Sequence, residues 1–82
     1  MKELKDTISL MVSEDYKDRF KAEYYQLKIR HEKLLNMIAR HDTGTLDFDP
    51  DSSIGLLAEQ CGVMGRYLRL LEVRAEVEGI TL

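Results

Sequence analysis

The chain has 82 residues, which allows one folded domain and leaves no room for a second independent core. Apolar residues make up 44% of it and charged residues 33%, a composition typical of an ordered helical protein and not of a disordered segment. The formal net charge of −3 argues against duplex DNA or RNA as a partner, although a few well-placed cations can still hold a small anionic ligand.

Cysteine and histidine usage removes two common ways of stabilising so small a domain. Cys61 is the only cysteine, so it makes no disulfide within the chain, and His31 and His41 do not form a zinc motif. We therefore expect self-association to supply the missing apolar burial. The sequence also has no stretch long enough for a transmembrane helix and no apolar core of a secretion signal, which predicts a cytosolic protein with no membrane partner.

Two helices are predicted in the first half of the chain. Segment 1–12 has apolar residues at spacings of four and three, which predict a short helix packed on another element: Leu4, Ile8 and Met11. Ser13, followed by two acidic residues, is typical of an N-cap and predicts a long helix over residues 14–41. The apolar positions of this helix form a seam: Phe20, Tyr24, Leu27, His31, Leu34 and Ile38.

The second half begins with a break. Residues 42–53 combine Gly and Pro with a cluster of Asp, Thr and Ser, which predicts a connecting loop. Ser52 or Ser53 can then cap a second long helix, predicted over residues 54–78 and ended by Gly79. Its seam has the same heptad spacing: Ile54, Leu57, Cys61, Met64, Leu68, Leu71 and Ala75.

These elements predict a fold class. Two helices of similar length joined by a loop of about a dozen residues lie antiparallel, with one seam against the other. We therefore expect a single all-α domain over residues 1–82, a long antiparallel helical hairpin with a short N-terminal helix, assembled into an oligomer.

The second long helix carries an additional apolar stripe on a face away from its seam. The stripe consists of residues seven apart: Leu56, Val63, Leu70 and Val77. Self-association would cover it, and so would segment 1–12 if that segment folded back over this face. Gly62 and Gly65 lie mid-helix, where each costs roughly 1 kcal/mol relative to Ala, so we expect them to permit close approach of another backbone or a ligand.

Tyrosines and cations form a second informative set. The tyrosines are Tyr16, Tyr24, Tyr25 and Tyr67, and the cations near them include Lys17, Arg19, Lys28, Arg30, Lys33, Arg66, Arg69 and Arg74. Such a mixture can stack on a base and hold a phosphate. The alternative interpretation assigns Tyr24 to the core and most cations to solvated helix faces, where they pair with acidic residues one turn away.

Catalytic motifs are poorly represented. His31 and Cys61 both fall on seams, where they are expected to pack as core side chains and not to react. The acidic run Asp47, Asp49 and Asp51 lacks the glycine and terminal glutamate of a calcium loop, and neither a P-loop nor a nucleophile elbow occurs. We therefore expect no enzyme activity, no metal and no cofactor.

Two stretches of the sequence resemble the helical-hairpin domain of phage anti-defence sponge proteins. They are YKDRFKAEYYQLKIRHEKLLNMI, starting at Tyr16, and LLAEQCGVMGRYLRLLEVRAEVEGI, starting at Leu56. The family includes the anti-CBASS sponge and the related Thoeris anti-defence sponge. The resemblance spans roughly residues 16–80, which is nearly the whole chain.

The resemblance implies a protein that binds a nucleotide immune signal without cleaving it, in the cytoplasm of an infected bacterial host. The anti-CBASS sponge is a hexamer that takes up cyclic dinucleotides and, in separate pockets, cyclic trinucleotides. The Thoeris sponge captures cyclic ADP-ribose isomers. The expected partners are therefore one of these nucleotides and other copies of the chain, with hexamer as the suspected assembly.

Site residues implied by the resemblance lie on both long helices. The tyrosine that opens the motif corresponds to Tyr16, with Arg19 in the same stretch, and the basic residue further along corresponds to Arg30 or Lys33. On the second helix the implied phosphate-binding residues are Arg66, Arg69 and Arg74. The acidic loop is longer than in the compact sponges. The rival hypothesis is a structural or adaptor helical-hairpin oligomer that binds another protein through the apolar stripe.

Overall fold

The computed structural model describes residues 3–82, and the elements it forms in this range are helical. A 3₁₀ turn spans Leu4–Thr7 and leads directly into helix α1, Ile8–Met11. The two long helices are α2, Tyr16–Asp42, and α3, Ile54–Glu78. An all-helical hairpin with a short N-terminal helical segment is therefore confirmed, while the first two residues of the expected helix 1–12 lie outside the described range.

Helix α2 begins at a different cap from the one expected. The Asp15 side chain accepts a hydrogen bond from the Lys17 backbone N–H at 2.9 Å, which makes Asp15 the N-cap. Ser13 was the wrong choice, because its hydroxyl donates to the Asp18 carboxylate at 2.8 Å and accepts from the Asp15 backbone N–H at 3.1 Å. Ser13 therefore stabilises the turn that leads into α2.

The ends of α3 agree with the sequence prediction. The Ser53 hydroxyl accepts a hydrogen bond from the Leu56 backbone N–H at 3.2 Å, so the second of the two candidate serines is the N-cap. Gly79 is the C-cap with φ of 69°, a left-handed conformation in which a side chain would be strained. The Ile80 backbone N–H then donates to the Ala75 carbonyl at 2.8 Å, which closes the helix.

The two long helices pack antiparallel along the predicted seams. All thirteen seam residues are buried or half-buried. The densest part of the core consists of Phe20, Tyr24, Leu71, Ala75 and Ile80. This core lies toward the open end of the hairpin, opposite the connecting loop, so the residues near the start of α2 and the end of α3 are held in a fixed register.

The N-terminal segment packs on α2 and not on the outer face of α3. Its contacts within residues 3–82 are with α2, where Thr7 is 1% exposed and accepts a hydrogen bond from the Gln26 amide at 2.9 Å. Ala22 and Ile29, on the side of α2 opposite the seam, are buried as well. The alternative in which this segment covers the second apolar stripe is therefore wrong.

Two of the three side chains expected to anchor this segment do not do so, while Leu4 is half-buried. Ile8 and Met11 are 54% and 49% exposed, and the buried residue is Thr7. The difference arises because the segment starts as a 3₁₀ turn, whose three-residue period shifts the buried face relative to an α-helix.

Candidate ligand-binding site

The second apolar stripe of α3 is uncovered in the single chain. Leu56, Val63 and Leu70 are 58%, 61% and 61% exposed, and Val77 is 81% exposed. Residues seven apart lie almost above one another on a helix, so the four side chains form one continuous row. Exposed rows of this kind are typical of protein interfaces, and this row is available for one.

A groove between α1, α2 and α3 brings together two of the expected site residues. It has a volume of about 370 Å³, and its lining includes Arg19, Arg30 and Tyr67. The Arg19 guanidinium donates to the Ser13 carbonyl at 2.8 Å, which fixes the cation at one end. The Tyr67 hydroxyl donates to the Glu23 carboxylate and so holds the ring across the groove.

A neighbouring groove, of about 410 Å³, is lined by Arg30 together with Lys33 and the side chains of Met37, Gln60 and Met64. Arg30 therefore lies at the boundary between the two grooves. Both cations are exposed, and neither makes a hydrogen bond or ion pair with residues 3–82.

Tyr67 also borders a third groove, on the side of the apolar stripe. This groove, of about 310 Å³, is lined by Val63, Arg66, Tyr67 and Leu70. Arg66 is exposed and has no ionic partner in the described part of the chain. The Tyr67 ring therefore borders both the groove beside the expected interface and the first cationic groove.

Tyr16 lies far from Arg30 and Lys33. Fourteen residues separate Tyr16 from Arg30 on one continuous helix, which corresponds to about 21 Å. Instead, the Tyr16 hydroxyl donates to Glu78 Oε1 at 2.8 Å and accepts from Arg74 Nη2 at 2.8 Å. Tyr16 and the Arg30/Lys33 pair therefore do not share a pocket within one chain.

The Tyr16 cluster is held by charge and by stacking. Arg74 Nε donates to Glu78 Oε2 at 3.1 Å, and the guanidinium carbon lies 5.0 Å from the centre of the Phe20 ring. The hydrogen bond from Tyr16, followed by that from Arg74, keeps the pKa of Glu78 below its ordinary value. The same hydrogen bond to Glu78 raises the pKa of Tyr16.

Arg69 and Tyr67 differ from their expected roles in the site. The Arg69 side chain is 76% exposed, and its Nη1 atom lies 3.9 Å from Glu72 Oε1. Arg69 lines none of the three grooves bordered by the other cations. Tyr67 is the aromatic lining residue, which the sequence placed among the tyrosines that could stack on a base but did not assign to the implied site. Its position four residues after Val63 and three before Leu70 places it beside the stripe, and this spacing is the signal that could have identified it.

The two mid-helix glycines differ in their surroundings. A Cβ atom at Gly65 would lie 3.5 Å from His31 Nε2, whereas a Cβ at Gly62 would have no neighbour within 4 Å. Both line an apolar groove of about 360 Å³, which also includes His31 and the buried Cys61. No backbone within residues 3–82 approaches either glycine closely.

Two further properties of the chain bear on metals and membranes. Within residues 3–82 no group of three or more His, Cys, Asp or Glu side chains is arranged to hold a metal ion. In the same range, no helix has the length and apolar character needed to cross a lipid bilayer.

Comparisons with known proteins identify the family. No curated protein and no solved structure matches the chain. One family model, Sequestin, matches residues 14–77, which include α2, the connecting loop and nearly all of α3. The match confirms the resemblance found in the sequence. The chain therefore belongs to the Sequestin family, whose members are phage anti-defence sponge proteins.

Proposed function

We propose that this protein is a homo-oligomeric sponge that binds a cyclic nucleotide immune signal and holds it intact. The ligand is a cyclic di- or trinucleotide or a cyclic ADP-ribose isomer, the signals taken up by the sponges that the sequence resembles. Family membership supports the sequestering role in anti-defence, and the choice of ligand is our extension of it.

The observation that carries the proposal is the set of cations without intramolecular partners. Arg30, Lys33 and Arg66 line grooves and make no ion pair within residues 3–82, although the chain as a whole is acidic. An Arg or Lys that is not neutralised by a neighbour is free to make a charge-assisted hydrogen bond to phosphate. The first two cations flank the groove system in which the Tyr67 ring is available to stack on a base.

Assembly would complete these sites. The three grooves are open to solvent in one chain, whereas sites for small ligands usually enclose most of the ligand surface. A second copy packed on the Leu56/Val63/Leu70/Val77 stripe would cover the groove beside Tyr67. Symmetry would also bring the same cations from several chains around one ligand, so few are needed per chain.

Calorimetry with the purified protein tests the proposal. A panel of cyclic di- and trinucleotides and cyclic ADP-ribose isomers is titrated into the oligomer, with the linear nucleotides of the same composition as matched controls. We expect one class of cyclic nucleotide to bind, to raise the melting temperature, and to be recovered unmodified after heating. The proposal fails if the whole panel gives no heat, or if the bound nucleotide is recovered hydrolysed.

The exposed stripe also supports a second candidate, an adaptor that binds another protein through α3. Its four side chains are all more than half exposed, as an interface for a different protein would also require. Thermal unfolding with the nucleotide panel distinguishes the candidates, because the melting temperature of an adaptor oligomer does not respond to nucleotides.

A further inference from the structure

The cluster at the open end of the hairpin has the arrangement of an anion-binding cradle. Two donors, the Tyr16 hydroxyl and Arg74 Nε, approach different oxygens of one carboxylate, that of Glu78, at 2.8 and 3.1 Å. Arg74 Nη2 also donates to the Tyr16 hydroxyl, and the guanidinium rests on the Phe20 ring, so the two donors hold each other in place. Two terminal oxygens on one negative group are also what a phosphodiester presents to its donors.

Glu78 is an unfavourable residue for the helix position it occupies. It is the last residue of α3, where the partial negative charge of the helix end disfavours a carboxylate, and the last turn holds no basic residue. The order of the pair, with Arg74 four residues before Glu78, is also the weaker orientation of an intrahelical ion pair. The carboxylate is therefore held by its contacts with Tyr16 and Arg74 and not by the helix.

The cradle is accessible from solvent. The side chains of Arg74 and Glu78 are 49% and 31% exposed, and Tyr16 is half exposed. The Glu78 side chain has three rotatable bonds, so it can turn away while α3 and its Gly79 cap stay in place. Another anion can then replace it without any change of backbone.

We propose that the Glu78 carboxylate occupies the anion position of a phosphate cradle formed by Tyr16 and Arg74, so that a ligand phosphate enters by displacing it. The inference rests on the proposed function for the class of anion and adds Glu78 as a residue that sets affinity. An internal competitor weakens the binding of every phosphate by the same factor. Ligands that also gain a stacked base or a second phosphate contact therefore remain tightly bound, whereas simple phosphates bind only weakly.

The test uses dimethyl phosphate, a phosphodiester with no base or sugar, in an NMR titration of the full chain. Binding is followed at the Arg74 Nε–H and Tyr16 ring signals in the native protein, in Glu78→Gln and in Glu76→Gln. The Glu76 variant is the matched control, because Glu76 is an exposed glutamate in the same turn and its side chain makes no hydrogen bond or ion pair within residues 3–82. Both variants change the net charge equally and keep a side chain of the same size.

We expect Glu78→Gln to lower the dissociation constant roughly fivefold, the upper range of what one exposed ion pair contributes, and Glu76→Gln to leave it unchanged. Adding Arg74→Ala to Glu78→Gln should abolish the gain. Equal effects of the two Gln variants, or weaker binding by Glu78→Gln, would overturn the proposal. Because the probe is not a nucleotide, the two proposals can fail separately. If no cyclic nucleotide binds but Glu78→Gln still strengthens dimethyl phosphate binding, the proposed function is rejected and the cradle is supported.

Discussion

The Tyr24 hydroxyl donates a hydrogen bond to Glu72 Oε2 at 2.9 Å and so joins the two long helices at the edge of their buried core. Burial of the phenol, together with this hydrogen bond and the negative charge of Glu72, raises the pKa of Tyr24 from 10.0 to about 12. The neutral phenol is therefore the form that the folded state stabilises.

Tyr24 should make the stability of the protein fall at alkaline pH. A raised pKa in the folded state contributes stability that is complete below pH 10.0 and is lost as the pH rises toward 12. We expect the native protein to lose on the order of 1 kcal/mol more unfolding free energy than Tyr24→Phe between about pH 8 and about pH 11. Urea denaturation at the two pH values measures this difference.

Tyr25→Phe is the control for Tyr24→Phe. The Tyr25 ring packs edge-on against Tyr24 with centres 5.1 Å apart, but its hydroxyl makes no hydrogen bond within residues 3–82. Its substitution should change the alkaline loss much less than Tyr24→Phe does, because the charge of Tyr25 is a lesser cause of the raised pKa of Tyr24 than burial and Glu72 are. If Tyr24→Phe loses as much stability as the native protein over this range, the folded state does not raise the pKa of Tyr24.

Leu70→Glu should dissociate the proposed oligomer without unfolding the hairpin. Leu70 is 61% exposed in the centre of the apolar stripe, so a charge there is solvated in the single chain but would be buried against a partner. Sedimentation at micromolar concentration should show assembled native protein and monomeric variant, with the same helical circular dichroism. Phe48→Glu, in the connecting loop, is the control and should remain assembled.

The heptad spacing of the sequence was sufficient to predict the hairpin. Both seams are buried as expected because a helix places residues three and four apart on one face, whatever the rest of the fold does. The caps Ser53 and Gly79 were also predictable, since each acts through local hydrogen bonds and backbone conformation.

Contacts between elements were less predictable. The pairing of Tyr16 with Arg74 depends on the register between the helices, and the loop sequence does not define that register. The burial of Thr7 required knowing that the N-terminal segment begins as a 3₁₀ turn and packs on the far side of α2. The periodicity of residues within one element predicts neither the register between the helices nor the packing side of the N-terminal segment.

Cys61 should resist thiol reagents in the native state. It is 6% exposed on the seam of α3, as the sequence predicted, so labelling requires the hairpin to open. We expect labelling on the order of 100-fold slower than that of Ser52→Cys in a Cys61→Ala background, where the new thiol lies in the exposed loop. Comparable rates for the two thiols would mean that the seam is open in solution.

Gly62→Ala and Gly65→Ala should each stabilise the isolated hairpin. Neither new methyl group meets an atom closer than 3.5 Å, and Ala is favoured over Gly inside a helix by about 1 kcal/mol. Gly79→Ala is the contrasting variant and should destabilise, because its φ of 69° is strained for a side chain. Thermal unfolding in the Leu70→Glu monomer measures all three. Destabilisation at Gly62 would show that the groove there is tighter than the structure indicates.

Replacement of the unpaired cations should weaken cyclic nucleotide binding without affecting the fold. Arg30 and Lys33 are exposed on α2 and make no hydrogen bond or ion pair within residues 3–82, so Arg30→Ala and Lys33→Ala remove no such interaction. One charge-assisted hydrogen bond to phosphate is worth about 1.5 to 3 kcal/mol, so each variant should bind the ligand roughly tenfold more weakly or worse.

Lys28→Ala provides the matched control for these two variants. Lys28 is an exposed cation on the same helix that lines neither of the two grooves bordered by Arg30, so its loss changes net charge without changing the proposed site. Calorimetry at two salt concentrations should show that native binding weakens as salt rises, because salt screens the attraction between the cations and phosphate. The Arg30→Ala and Lys33→Ala variants should show a smaller salt dependence than the native protein and Lys28→Ala. Equal losses for all three variants would mean that net charge, and not these side chains, determines binding.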